Sequence, residues 1–134
     1  MAGLLYLDSS ALVKLVLPEA ESAALLQCVA DRPDRVTSQI ATVEVLRAAR
    51  RASDDPAVEQ RARQILAGVH LLRLDDATLD ATATIGPRRV RALDAIHLAT
   101  AEHLGPALEA MIVYDSALAD AARTAGIQVL APGA

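Results

Sequence analysis

Short apolar runs alternate with longer amphipathic stretches along the whole chain. The apolar runs have the length of buried strands and occupy positions 4–7, 36–38, 69–74, 111–114 and 127–130. Apolar residues spaced three and four apart predict helices over 9–17, 19–30, 39–53, 56–67, 76–85, 94–104 and 116–125. The resulting order is βααβααβααβαβ. Strands that alternate with helices predict an α/β fold, in which a parallel five-stranded sheet has helices on both faces.

Composition limits the class of protein. The 134 residues suit one domain over positions 1–134, without a linker or low-complexity segment. The sequence contains no Phe or Trp, which argues against a platform for stacking bases. No apolar run approaches the roughly 20 residues of a membrane span, and the N-terminus does not resemble a signal peptide. With Cys28 as the only cysteine, a reducing, cytoplasmic location is expected.

Two segments share the pattern of a strand, then Asp-Ser, then a helix. Asp8 follows the first predicted strand and Asp115 follows the fourth, so both are expected at the carboxyl edge of a parallel sheet. Glu44 and Asp94 lie near the starts of two further helices. Four carboxylates at one edge would repel each other, and a divalent cation is the usual reason to tolerate this. Because all of the ligands are oxygen atoms, Mg²⁺ or Mn²⁺ is expected.

Each acid also has a purely structural interpretation. Asp8, Asp94 and Asp115 could cap the helices that follow them, although Ser9 and Ser10 could cap in place of Asp8. Ser10 could instead hold the Asp8 side chain by a hydrogen bond. Asp94 could form a surface ion pair with the arginines before it. Glu44 shares a helix face with Arg47 and Arg51, which fits a solvated ion pair as well as it fits a cleft wall.

Other residues narrow the chemistry. His97 lies among apolar residues and is expected to be a hydrogen-bonded core histidine rather than a ligand, and no His or Cys pair has zinc spacing. Motifs of the form GxxxxGK, GxGxxG and GxSxG are absent. Lys14, the only lysine, falls inside the first helix, which argues against aspartyl-phosphate chemistry. The residues alone favour a metal-dependent nuclease or phosphatase, although the net charge of −4 is unlike that of a general nucleic-acid binder.

Four segments in order resemble the PIN-domain ribonucleases of the VapC toxin type. They are YLDSSALVKLVLPE, TVEVLRAARR, RALDAIHLATA and VYDSALADAARTAGIQVLAP, and the resemblance covers essentially the whole chain. It implies a PIN-like fold with an acidic pocket that binds Mg²⁺ or Mn²⁺ and cuts RNA. By position, Asp8, Glu44, Asp94 and Asp115 match the four acids of the family, and Ser10 matches its small hydroxyl residue.

The resemblance also assigns roles and partners. Asp8 and Asp94 are implied to be the first metal ligands, while Glu44 and Asp115 bind the metal directly, bind it through water, or orient the attacking water. Hydrolysis by a metal-activated water would leave a 5′-phosphate and a 3′-hydroxyl. A VapB-type antitoxin and a homodimer are implied as well. The candidate RNA contacts are Arg47, Arg50, Arg51, Arg88, Arg89 and Arg91, each of which could equally belong to a solvated helix face.

Three other interpretations stay open at this point. The chain could be an RNA-processing PIN nuclease without an antitoxin, a non-catalytic binding module of the same fold, or a small phosphatase. The homodimer draws support from the apolar residues of the first two helices, which exceed what one sheet face needs. These residues are Leu12, Val13, Leu15, Val16, Leu25 and Leu26, and they could alternatively be core.

Overall fold

The alternation of strands and helices expected from the apolar pattern is present in the structure. A computed structural model describes residues 3–134. Within that range the strands are β1 (Leu4–Leu7), β2 (Arg35–Ser38), β3 (His70–Leu72), β4 (Leu108–Ile112) and β5 (Val129–Leu130). The helices are α1 (Ser9–Val16), α2 (Ser22–Val29), α3 (Ala41–Ala52), α4 (Pro56–Ala67), α5 (Asp76–Thr82), α6 (Ala92–His103) and α7 (Ser116–Thr124).

The strands form one parallel sheet in the order β3-β2-β1-β4-β5. Strand β1 lies at its centre, with Tyr6 beside Val36 of β2 and Leu7 beside Ile112 of β4. This arrangement confirms the predicted α/β class and the five-stranded parallel sheet. It also brings the carboxyl ends of β1 and β4 next to each other, which is where Asp8 and Asp115 follow their strands.

Helices cover both faces of the sheet because successive residues of β1 point in opposite directions. Leu5 and Leu7 pack in a cluster with apolar residues of α1 to α4. Tyr6 belongs to a second cluster on the opposite face, with Leu98 of α6 and Leu118 of α7. The face that carries Tyr6 is therefore also the face on which α6 brings His97 and Asp94 to the sheet.

Most element boundaries differ from the predicted ones by one to three residues. Helix α6 begins at Ala92, with Arg91 as its N-cap residue, so Asp94 occupies the third helical position and the prediction that it caps the helix is wrong. Strand β4 starts at Leu108, directly after a 3₁₀ turn over Gly105–Ala107. Helix α5 ends at Thr82, three residues before the predicted end, and the turn that follows contains Gly86 with a positive φ of 71°.

Most of the apolar residues of the first two helices belong to the core. Leu12, Leu15, Val16 and Leu25 are buried, whereas Leu26 is 55% exposed. The core interpretation is therefore correct for these four residues and for the half-buried Val13, which packs against the same core cluster. The surplus of apolar surface that supported a homodimer is much smaller than predicted. In the part of the chain that the structure describes, no helix is both long and apolar enough to cross a membrane.

Candidate active site

The end of the central strand places Asp8 at the base of the candidate site. Asp8 is only 3% exposed and precedes α1 as its N-cap residue. Its Oδ1 accepts a hydrogen bond from the backbone N–H of Ala11 at 3.1 Å and another from the Ser10 hydroxyl at 2.6 Å. The capping interpretation of Asp8 is thus correct, and so is the predicted Ser10–Asp8 hydrogen bond. The alternative in which a serine caps α1 is wrong.

Burial dominates the electrostatics of Asp8. Removal from water raises the pKa of its carboxyl group from 3.8 to about 6. The hydrogen bond from Ser10, the nearby His97 and the Ala11 N–H oppose this rise, while the charge of Asp94 adds to it. Asp8 is therefore a buried acid whose pKa lies well above its ordinary value.

Asp115 occupies the equivalent position at the end of β4. It is the N-cap residue of α7, and its Oδ2 accepts from the backbone N–H of Leu118 at 2.9 Å. Unlike Asp8, its side chain is exposed. The repeated Asp-Ser pattern therefore produces two capping acids at one sheet edge, one buried and one facing solvent.

Asp94 links the four acids electrostatically. It is half-buried in the first turn of α6, and burial raises the pKa of its carboxyl group. The charges of Asp115 and Glu44 raise this pKa further, whereas His97 and Arg91 lower it. Since Asp94 also raises the pKa of Asp8, Asp94 is coupled to each of the other three predicted acids.

Glu44 is turned toward the protein interior rather than toward the arginines of its own helix. Its Oε1 lies 2.7 Å from His97 Nε2 and accepts from the Ser9 hydroxyl at 2.5 Å. Burial alone would raise the pKa of Glu44, but these two hydrogen bonds outweigh it and the pKa lies below its ordinary value. Within residues 3–134 no arginine pairs with Glu44, so the solvated ion-pair interpretation is wrong.

His97 is the residue whose role the sequence did not reveal. It is 1% exposed, and its ring stands edge-on to Tyr6, with 5.8 Å between the ring centroids. Its Nδ1 lies 2.7 Å from the Tyr6 hydroxyl. The prediction of a hydrogen-bonded core histidine is confirmed, but the same ring also supports Glu44. Ser9, which lies 3.0 Å from His97 Nε2, was likewise missed.

The chemistry and the position of the four acids suit a hard divalent cation, but the present orientation of their side chains does not. Their donors are all carboxylate oxygens, as Mg²⁺ and Mn²⁺ prefer. Over residues 3–134, however, no three His, Cys, Asp or Glu side chains are arranged so that they could hold a metal ion together. Glu44 Oε1 is engaged by Ser9 and His97, and Asp115 points toward solvent. A bound ion would therefore require side chains to rotate toward Asp8.

Within residues 3–134, none of the six candidate RNA contacts forms an ion pair with any of the four acids. All six are exposed: Arg47, Arg50, Arg51, Arg88, Arg89 and Arg91. Arg89 Nη2 lies 3.8 Å from Asp120 Oδ2, in an open surface pair. Arg91 has an electrostatic link to the acids, because its charge lowers the pKa of Asp94.

The fold and this acidic edge define a known class. The family model for the PIN domain matches residues 5–129, and the chain belongs to the PIN-domain family. Within the family it is similar to Ribonuclease VapC46 of Mycobacterium tuberculosis, with 44% identity over 96% of this chain and 97% of the relative. Ribonuclease VapC47 of the same species is 36% identical over 98% of each chain. The resemblance to VapC-type PIN proteins is thereby confirmed.

Solved structures support the same fold. The crystal structure of VapC20 of Mycobacterium tuberculosis, described as a sarcin-ricin loop cleaving toxin, has a TM-score of 0.75 at 17% identity and covers 96% of this chain and 99% of its own. A toxin–antitoxin complex from Klebsiella pneumoniae has a TM-score of 0.70 at 23% identity, with 96% and 97% covered. At these identities the likeness concerns the fold.

Proposed function

We propose that this protein is a cytoplasmic, metal-dependent endoribonuclease and the toxin component of a type II toxin–antitoxin pair. One observation carries the proposal: four carboxylates interact at the carboxyl edge of the sheet, and the innermost, Asp8, is buried with a raised pKa. Burial of Asp8 and repulsion among neighbouring carboxylates lower stability unless a bound cation offsets their charge, and such perturbed acids are typical of functional sites. The names of the curated relatives, which are ribonucleases, indicate which reaction the site serves.

The surroundings of each acid suggest its role in the proposed reaction. Asp8 and Asp94 would hold the Mg²⁺ or Mn²⁺ ion, since Asp8 is the most buried of the acids and the charge of Asp94 acts on it directly. Such an ion lowers the pKa of a bound water and offsets charge on the phosphate. Glu44 and Asp115 bind the ion or orient the attacking water, and the bonds from Ser9 and His97 keep Glu44 ionised. Hydrolysis leaves a 5′-phosphate and a 3′-hydroxyl.

RNA would approach along the exposed arginines. The chain has a net charge of −4, so general attraction to a polyanion is weak and local contacts must position the substrate. The proposed contacts are Arg91, Arg89, Arg47 and Arg51. Of these, Arg91 acts on the acids, since its charge lowers the pKa of Asp94. Phosphate contacts of this kind orient the strand and do not select its sequence.

The test compares the wild type with Asp8→Asn and Asp94→Asn on total cellular RNA. Discrete cleavage is expected from the wild type with Mg²⁺ or Mn²⁺, and loss of cleavage is expected in both variants and with EDTA. Asp80→Asn, a change of an exposed acid on α5, is the matched control and should cleave normally. Cleavage that survives both substitutions at the site would refute the proposed metal centre.

A VapB-type antitoxin and a second copy of this chain are the proposed partners. Support comes from the VapC names of the relatives and from the toxin–antitoxin complex among the similar folds. Expression of the protein alone should arrest growth, and co-expression of a small protein encoded directly upstream should relieve the arrest. Cleavage of RNA without growth arrest, or without such an upstream protein, would favour an RNA-processing nuclease. Size-exclusion chromatography with light scattering tests the homodimer.

A further inference from the structure

A buried chain of hydrogen bonds runs from strand β2 to Glu44. The backbone N–H of Ser38 donates to the Tyr6 hydroxyl oxygen at 3.1 Å. That hydroxyl lies 2.7 Å from His97 Nδ1, and His97 Nε2 lies 2.7 Å from Glu44 Oε1. Tyr6, Ser38 and His97 are all buried, so water does not compete for these bonds. The chain ends on one of the four acids of the site.

The direction of the donors favours one tautomer of His97. A backbone N–H can only donate, so Tyr6 accepts from Ser38 and its own proton is free to point at His97 Nδ1. A tyrosine hydroxyl keeps its proton at neutral pH. With Nδ1 as acceptor, the ring carries its proton on Nε2 and donates it to Glu44.

We propose that His97 is a positioning residue for the nuclease reaction, which holds Glu44 through Nε2–H in a tautomer set by Tyr6. This inference rests on the proposed function and adds a residue to it. The hydrogen bonds from His97 and from Ser9 both end on Glu44 Oε1. Oε2 is therefore left to serve the site, with the carboxylate fixed in place. Partners of this kind commonly change activity by about 10- to 100-fold when they are removed.

Two substitutions of His97, by glutamine and by asparagine, distinguish the loss of the hydrogen bond to Glu44 from the loss of ring packing. In His97→Gln the side-chain amide can place an N–H near the Nε2 position, whereas in His97→Asn the shorter amide reaches only the Nδ1 position. Both variants lose the ring. We expect His97→Asn to lower kcat by about 10- to 100-fold with little change in the KM for RNA, and His97→Gln to recover most of the loss. Equal losses in two folded variants, or no loss in His97→Asn, would overturn the proposal.

A double-mutant cycle tests whether the effect passes through Glu44. If His97 acts by holding this carboxylate, His97→Asn should lower kcat less than about twofold further in a Glu44→Gln background. Losses that multiply as independent effects would show that His97 acts elsewhere. Thermal unfolding of each variant identifies losses that come from instability alone.

Nitrogen-15 NMR provides a readout that does not depend on cleavage. Long-range ¹H–¹⁵N correlations should identify His97 of the wild type as the Nε2–H tautomer, and Tyr6→Phe should reduce this preference. An Nδ1–H ring in the wild type would overturn the inference. If the wild type cleaves no RNA at all, the nuclease proposal fails, while the tautomer still decides whether this hydrogen-bond chain directs Nε2–H at Glu44.

Discussion

The Ser10 hydroxyl donates to Asp8 Oδ1 at 2.6 Å, from the position two residues further along the chain. The same hydroxyl oxygen accepts the backbone N–H of Tyr114 at 3.3 Å, just beyond β4. Ser10 thereby connects the two strand ends that carry Asp8 and Asp115. Among the groups that oppose the effect of burial on the pKa of Asp8, the Ser10 hydrogen bond is the largest.

Replacing Ser10 by Ala should therefore move the acid limb of the pH–rate profile to higher pH. Without the hydroxyl, the pKa of Asp8 is expected to rise above 6 by about one unit, the effect of one hydrogen bond to a charged group. Activity should fall several-fold near pH 6 and largely recover by pH 8. Ser10→Thr keeps the hydroxyl and is the control. A loss of the same size at every pH would contradict this role.

Asp8 should destabilise the metal-free protein at neutral pH. Because the pKa of Asp8 is raised in the folded state, its contribution to the free energy of unfolding is fully present below pH 3.8 and is lost as the pH rises through about 6. The rise corresponds to an upper limit of roughly 3 kcal/mol. Asp8→Asn, which keeps an oxygen to accept from Ala11, should therefore unfold at higher denaturant concentration than the wild type at pH 7.

The pH dependence of this difference is the decisive measurement. The gain in the free energy of unfolding of Asp8→Asn should be largest above pH 6 and should vanish well below pH 3.8, where Asp8 of the wild type is protonated in both the folded and the unfolded state. Other acids titrate in the same range, so only the difference between the two proteins isolates Asp8. A variant that is less stable than the wild type at pH 7 would show that burial of this charge is compensated without a metal.

Divalent cations should stabilise the wild type and not its site variants. An ion at a hundredfold excess over its Kd adds about 2.7 kcal/mol to the free energy of unfolding. The free energy of unfolding of the wild type and of Asp80→Asn should increase by this amount with Mn²⁺ or Mg²⁺. That of Asp8→Asn and of Asp94→Asn should not change. The gain should decline below pH 6, because protons then compete for Asp8. Equal shifts in all four proteins would place the binding elsewhere.

The fold was readable from the sequence where the signal is local. The apolar run that became β1, bounded by Gly3 and Asp8, predicted its strand without error. The start of strand β4 was predicted at position 111, three residues after its actual start at Leu108, because Glu109 interrupts the apolar run. The structure places Glu109 at the rim of the sheet, where its carboxylate accepts from Gly3 and Arg32, so a polar residue lies within a strand without being buried.

The site was readable only in part. The placement of Asp8 and Asp115 follows from where two parallel strands end, a rule that needs no side-chain detail. The orientation of Glu44 depends on His97, which is 53 residues away, and a helical wheel cannot represent that contact. The wheel grouped Glu44 with Arg47 on an outer face. The one signal that pointed to His97 is its position one turn after Asp94 on the same helix.

Arg91 should contribute more to RNA binding than other exposed arginines, because its charge acts on Asp94 at the acidic edge. It precedes α6 without a side-chain capping bond, so Arg91→Gln removes a charge without removing a cap. The KM for RNA should rise about fivefold, and the slope of log affinity against log salt should fall by about one. The control is Arg63→Gln, because Arg63 is an exposed arginine that pairs with Glu59 on α4. Equal effects of the two substitutions would mean that RNA is attracted by overall charge rather than positioned at this edge.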